Sequence, residues 1–281
     1  MRIKPSILGV ICCAITVAAC ADDRSRTVKL SETPPAVQNV ITARVGDGKL
    51  GEIDRTTEGG DTVYDVGLTG NDGQDRDFTL AEDGTLMSTQ LTLVETPVAV
   101  QKSIQTLAKE GEVESIDKSI DELNITFDIS LTMKDGREKG FTLDDDGTLL
   151  SMEVALTETP AAVQKTIQAE SGEGKLASID KMFDEDGISY DVTVTATNGR
   201  EKSFSMAEDG QLISRQVTLP ETPPSVRRTI KEKIGDGKVL RIDKSFVKSH
   251  AGMAFEVQGR KDGKPFDFRV GPAGRFFGRD D

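Results

Sequence analysis

The sequence predicts an α+β fold, a tandem array of four αββββ units, each a helix packed on a four-stranded antiparallel meander. Three observations predict it. First, Glu32-Thr33-Pro34 recurs as Glu95-Thr96-Pro97, Glu158-Thr159-Pro160 and Glu221-Thr222-Pro223, and Ile53-Asp54 recurs as Ile116-Asp117, Ile179-Asp180 and Ile242-Asp243, every step being 63 residues. A shared register at several separate places is the mark of an internal repeat. Second, each Thr-Pro is followed by apolar residues four apart, such as Val163 and Ile167, which share one helical face. Third, the rest of each period alternates apolar and polar residues between Gly-rich turns.

The elements follow in order along residues 157–219. Thr159 is the expected N-cap and Pro160 the first helical residue. The helix should stop near Ser171-Gly172-Glu173-Gly174. Lys175 to Lys181 reads as a strand and Asp184 to Gly187 as a turn. Ile188, Tyr190, Val192 and Val194 then alternate with polar residues, the pattern of a half-buried strand. Asn198-Gly199 is a hairpin signal. Phe204 and Met206 mark a third strand, Asp209-Gly210 another turn, and Leu212 to Leu219 a fourth strand. Boundaries at 31–93, 94–156, 157–219 and 220–281 divide the chain. A lone unit of this size has a modest core, so contact between neighbours should add stability.

The first residues read as an address. Met1-Arg2-Ile3-Lys4 is a positive start, and Ile7 to Ala19 is an apolar stretch of signal-peptide length. It ends Val17-Ala18-Ala19-Cys20, which resembles a bacterial lipobox. The expectation is a lipoprotein signal over 1–19, lipidation at Cys20 and a tether over 20–30; an ordinary secretory signal cut after Ala19 is the alternative. Cys12 and Cys13 would leave with the signal, so the remaining chain would hold no disulfide. This places the protein in the bacterial cell envelope, extracytoplasmic and lipid-anchored to a membrane.

Composition narrows the function. The 281 residues carry 35 Lys+Arg, 48 Asp+Glu and one His, a formal net charge of −13. A uniformly basic nucleic-acid surface is therefore excluded. One His and three Cys leave little for zinc or for a catalytic dyad. No enzyme, cofactor or metal site is expected. Gly46-Asp47-Gly48-Lys49-Leu50-Gly51 matches a dinucleotide pattern, but the expected order is helix, glycines, strand, the reverse of what that motif needs. Asp144-Asp145-Asp146-Gly147 invites a calcium reading, yet the Asp-Gly turn of the other copies explains it and no EF-hand spacing is present. The fourfold Ile-Asp is expected to serve a turn or a cross-strand ion pair.

The motifs themselves resemble the PepSY domain, most closely its PepSY-like, beta-lactamase-inhibitor-protein-like group. The resemblance rests on Thr159 to Ile167, on Ile179 to Lys181 and on the hairpin Ala207 to Ser214, and it covers residues 31 to 281. It implies secreted or envelope modules that bind proteins, some as protease propeptides or enzyme inhibitors. It brings no catalytic residues to carry over.

The fourth copy departs from the others. Residues 220–281 hold 14 Lys+Arg against 9 Asp+Glu, and six of the eleven Phe; residues 20–219 carry a net charge of −20. An insertion falls between Ser245 and Ala254, around His250. Either this is a terminal cap, or it is a docking surface for an acidic partner, such as the acidic repeats of another copy or an anionic surface polymer, with Phe246, His250, Phe276 or Phe277 as anchors. The expected function is a non-catalytic adaptor or inhibitor of an envelope enzyme. The alternative is a structural or sequestering protein whose acidic repeats bind cations or surface polymer.

Overall fold

The computed structural model describes residues 25–58, 61–71, 73–121, 124–246, 253–261 and 264–278. The described chain is one 17-stranded antiparallel sheet carrying four helices. This corrects the expected tandem array of four αββββ units, since the strands of all four periods join in one sheet. The strands are β1 (Arg26–Thr27), β2 (Lys49–Glu58), β3 (Asp61–Thr69), β4 (Asp75–Ala81), β5 (Leu86–Gln90), β6 (Gly111–Ile120), β7 (Ile125–Met133), β8 (Glu138–Asp144) and β9 (Leu149–Glu153). They continue as β10 (Lys175–Asp184), β11 (Gly187–Thr195), β12 (Glu201–Ala207), β13 (Leu212–Gln216), β14 (Lys238–Ser245), β15 (Phe255–Lys261), β16 (Lys264–Val270) and β17 (Phe276–Phe277). The helices are α1 (Pro35–Val45), α2 (Val98–Leu107), α3 (Ala161–Ser171) and α4 (Pro224–Ile234).

Three ladders overturn the expectation: β5 pairs with β6, β9 with β10 and β13 with β14, each across an intervening helix. Each is three residue pairs wide. The physical reason is the edge strand. A separate meander would expose two rows of unpaired N–H and C=O groups, and merging pairs them.

The helix start also differs. Thr159 is not the N-cap; Pro160 holds that position, and α3 begins at Ala161. The preceding Leu156–Glu158 forms a 3₁₀ turn, and the equivalent turn Leu219–Glu221 ends the fourth strand of the third period earlier than expected, at Gln216. The Thr159 hydroxyl is buried and donates to the Leu156 carbonyl at 2.8 Å. Glu158 accepts the Ala155 N–H at 2.7 Å, and Gln164 Nε2 donates to the Thr159 carbonyl at 2.8 Å. The same three bonds recur around Thr33 and Thr96. Around Thr222 an Arg227 guanidinium takes the glutamine's place.

All four helices lie on one face of the sheet. Val163 and Ile167 of α3 pack against Ile179, Tyr190, Val192, Val194, Phe204 and Met206. Equivalent clusters lie under α1, α2 and α4. The Asp-Gly turns close each cluster from one side. Gly210 has φ +81°, and a Cβ there would meet the Ala162 carbonyl of α3 at 2.7 Å. Thr166 Oγ1 donates to the Gly210 carbonyl at 2.8 Å, as Ser103 does to Gly147 and Thr229 to Gly274.

Among the described residues the opposite face carries no helix, and the sheet coils around it. Asp61 alternates with buried Thr62 and Tyr64, and Arg260 with buried Gly259 and Val257, so both point to the helix-free face. They form an ion pair. Twelve ladders separate β3 from β15, which in a flat sheet would span roughly 58 Å at 4.8 Å per strand. The pair therefore requires the sheet to curl with its helix-free face inward.

Candidate interaction site

The helix-free face is lined by opposed acids. Asp54 stands directly across from Asp65, Asp117 from Asp128, Asp180 from Asp191, and Asp243 from Glu256. The expected cross-strand ion pair is thus corrected: the residue opposite each Ile-Asp acid is another acid. The partners of these opposed acids are mostly hydroxyls, with two guanidiniums, Arg241 and Arg269, the latter donating to Glu256 at 2.9 Å. Thr27 donates to Asp54 at 2.7 Å, Ser115 to Asp117 at 2.7 Å, and Thr142 and Ser119 to Asp128 at 2.8 and 3.0 Å. Arg241 donates to Asp243 at 2.5 Å and to Ser203 Oγ at 2.8 Å.

Burial raises five carboxyls on this face: Asp180, Asp128, Asp191, Glu153 and Asp77. Asp180 is only 8% exposed, and desolvation together with the neighbouring Glu153 and Asp191 pushes it up to about 6. Burial also pushes up Asp128, whose two hydroxyl bonds oppose the shift. Asp191 is raised by the atoms crowding it, although its outer edge is open to solvent, and Arg241 opposes that shift. Glu153 is raised by burial, against the Gly140 N–H and Lys139. Asp77 is raised by burial and by Asp117, Asp75 and Asp65. These acids lie along rows. Among the described residues no group of three or more His, Cys, Asp or Glu converges as metal ligands. Two open grooves of about 290 and 280 Å³ lie beside the β5–β6 ladder and beside α2, below the usual range of enclosed ligand pockets.

The residues expected as anchors are dispersed. Phe246 follows β14, where its N–H donates to the Ile213 carbonyl and its ring lies 4.7 Å from Lys244 Nζ. Phe276 is 39% exposed, lies tilted against Phe268 with ring centroids 5.6 Å apart, and has Lys233 Nζ 4.0 Å from its centroid. Phe277 is the next residue on β17, so its side chain takes the opposite face, beside Arg275 at 5.0 Å. Phe246 and Phe276 share the helix-bearing side, with β15 and β16 between their strands. Cys20 and His250 lie outside the described residues, as does most of the insertion. The Gly46 to Gly51 pattern ends α1 and enters β2, and a Cβ at Gly48 or Gly51 would meet facing backbone oxygens at 2.7 and 2.9 Å.

The opposed acids escaped the sequence reading. Their signal was present: Tyr64-Asp65, Phe127-Asp128, Tyr190-Asp191 and Phe255-Glu256 repeat an aromatic-acid pair. Only the strand register shows that this second acid faces the first.

No family model matches the chain, so the PepSY resemblance of its motifs has no matching model behind it. No curated protein matches it. Among solved structures, a BLIP-like protein from Bacteroides fragilis is 17% identical, with 43% of this chain and 84% of that chain covered and a TM-score of 0.31. A DUF2874-family protein from Bacteroides vulgatus is 15% identical over 48% and 100%, with a TM-score of 0.31. A protein from Bacteroides thetaiotaomicron, provisionally described as calcium-regulated and periplasmic, is 18% identical over 45% and 94%, with a TM-score of 0.30. Likenesses at these scores carry no function to this chain.

Proposed function

We propose that this protein is a non-catalytic, lipid-anchored extracytoplasmic binding protein that engages another protein as adaptor or inhibitor of an envelope enzyme. The continuous sheet is the observation that carries this reading: with every helix on one face, it offers a broad, inward-curled face for contact. The anchor is the proposed lipid on Cys20, with 1–19 as signal, 20–30 as tether, and 31–93, 94–156, 157–219 and 220–281 as successive modules. The basic 220–281 segment supplies a second contact surface, with Phe276 beside Lys233 as its exposed anchor; Phe246, His250 and Phe277 are its further candidate anchors.

A second reading is favoured by the rows of opposed acids: cations or surface polymer held along the helix-free face. The two readings separate in one experiment. Immobilised residues 21–281 are incubated with solubilised native envelope at low and high salt, beside a Phe276→Ala, Lys233→Glu variant. A stoichiometric protein that is weakened by salt and lost in the variant supports the adaptor reading and its site. Retention of no protein, with a thermal midpoint that rises on adding divalent cation or anionic polymer, supports the second. In cells, Cys20→Ala should abolish palmitate labelling and release the protein from the membrane fraction; continued labelling would exclude lipidation at that residue.

A further inference from the structure

The three ladders that cross a helix share one register and one closing backbone bond, and the second differs from the other two in the side chain that faces the Ile-Asp acid. In β5–β6, Gln90 stands opposite Asp117; in β13–β14, Gln216 stands opposite Asp243. An amide can donate to the carboxylate it faces. In β9–β10 the same position is Glu153, opposite Asp180. Two carboxylates cannot bond each other without a proton. Directly opposed side chains sit close enough for like charges to push the strands apart. Asp180 also faces Asp191 on its other side, so it is flanked by acids from both neighbouring strands.

Few other charges offset this. Lys139 and Glu138 of β8 act on Glu153, with opposite signs. Lys139 is shared, its Nζ lying 3.5 Å from Glu158. Arg241 of β14 and Asp184 of β10 act on Asp191, again with opposite signs. On its own strand, Asp180 has the Ser178 hydroxyl at 3.4 Å. The ladder itself is short: three residue pairs, extended by the Val154 N–H to the Ile179 carbonyl at 2.9 Å.

We propose that the β9–β10 ladder is a proton-operated joint, closed when Glu153 and Asp180 share a proton and loosened when both are charged. It would divide the sheet into two stiffer halves, β1–β9 and β10–β17. The upward displacement of both carboxyls agrees with a proton held between them. The joint stands on register alone and is independent of what the sheet binds.

Amide hydrogen exchange tests it in residues 21–281. The Val154 N–H reports the joint; the Leu91 and Val217 N–H groups make the same bond in the other two ladders, to Ile116 and Ile242. After correction for intrinsic exchange, Val154 protection should fall about tenfold relative to both references between about pH 5 and pH 7.5, one pKa unit being a factor of ten. Glu153→Gln should hold the ratio within about threefold, and intact protection at Leu91 and Val217 shows that this variant is folded. The proposal is overturned if Val154 tracks the references in the wild type, or if the drop survives in Glu153→Gln.

Discussion

Two residues show how strongly single positions are constrained. Asp180 ionises at about 6, above the 3.8 of an ordinary aspartate, because burial and two neighbouring acids oppose its charge. Its folded form therefore holds a proton that the unfolded chain releases. Stability from this group is full at low pH and is lost as pH rises from about 4 through about 6. At neutral pH the charged carboxylate costs on the order of 1–3 kcal/mol, since one pKa unit is about 1.4 kcal/mol. Asp180→Asn should recover much of that near pH 7.5 and nothing near pH 4, as read by urea unfolding at both values. A gain equal at both would exclude ionisation as its cause. Gly210 is constrained by shape. Its φ of +81° and the Ala162 carbonyl, 2.7 Å from where a Cβ would stand, leave no room for a side chain. Gly210→Ala should cost about 2–4 kcal/mol, combining left-handed strain with displacement of α3. A loss under about 0.5 kcal/mol would mean that the turn can lift off the helix.

At the scale of elements, helices and hairpins were legible because their signals are local. Val163 and Ile167 announce the buried stripe of α3, and Asn198-Gly199 and Asp209-Gly210 fall at real turns. The helix entrance was misread by one residue. Thr and Pro have strong local preferences for cap and first turn, but a tertiary device prevailed. The Thr159 hydroxyl turns back to the 3₁₀ carbonyl of Leu156, and Pro160 takes the cap position. Thr159→Val should then cost about 1–2 kcal/mol, because it removes the shorter of the two hydrogen bonds to the Leu156 carbonyl at a buried threonine while keeping the side-chain volume. Under the cap reading the same change would free the N-terminal N–H groups of α3. Exchange of those amides separates the two, and here they should be unchanged while the Thr159 N–H, bonded to Leu156, exchanges faster. The merged sheet was not legible. Ladders such as Ser88–Gln90 against Asp117–Ser119 are too short and too polar to leave a periodic trace. The opposed acids were hidden for the same reason, since register decides what faces what.

At the scale of the molecule, coiling follows from twist. Adjacent strands rotate in one sense, and a long open sheet curls unless something holds it flat. The four helices sit on one face only, so they thicken that side and leave the other free to become concave. The acids of β2, β3, β6, β7, β10 and β11 then gather on the inner side, where crowding adds to the desolvation that raises Asp128 and Asp180. Coiling and charge thus oppose each other, and the Asp61–Arg260 pair is a contact of opposite sign that ties β3 to β15. Spin labels placed at Asp61→Cys and Arg260→Cys in a chain beginning after Cys20 report this directly. Their separation should lie below about 25 Å, against roughly 58 Å for twelve strand spacings laid flat. Because the substitutions remove the ion pair, a second pair of labels at Asp65 and Gln258, set back from it on the same face, should also read far short of the flat distance. If both pairs return the flat value, the sheet is an extended ribbon and its helix-free face is not enclosed. If only the first lengthens, the coil persists from twist, and the ion pair clasps its ends without creating it.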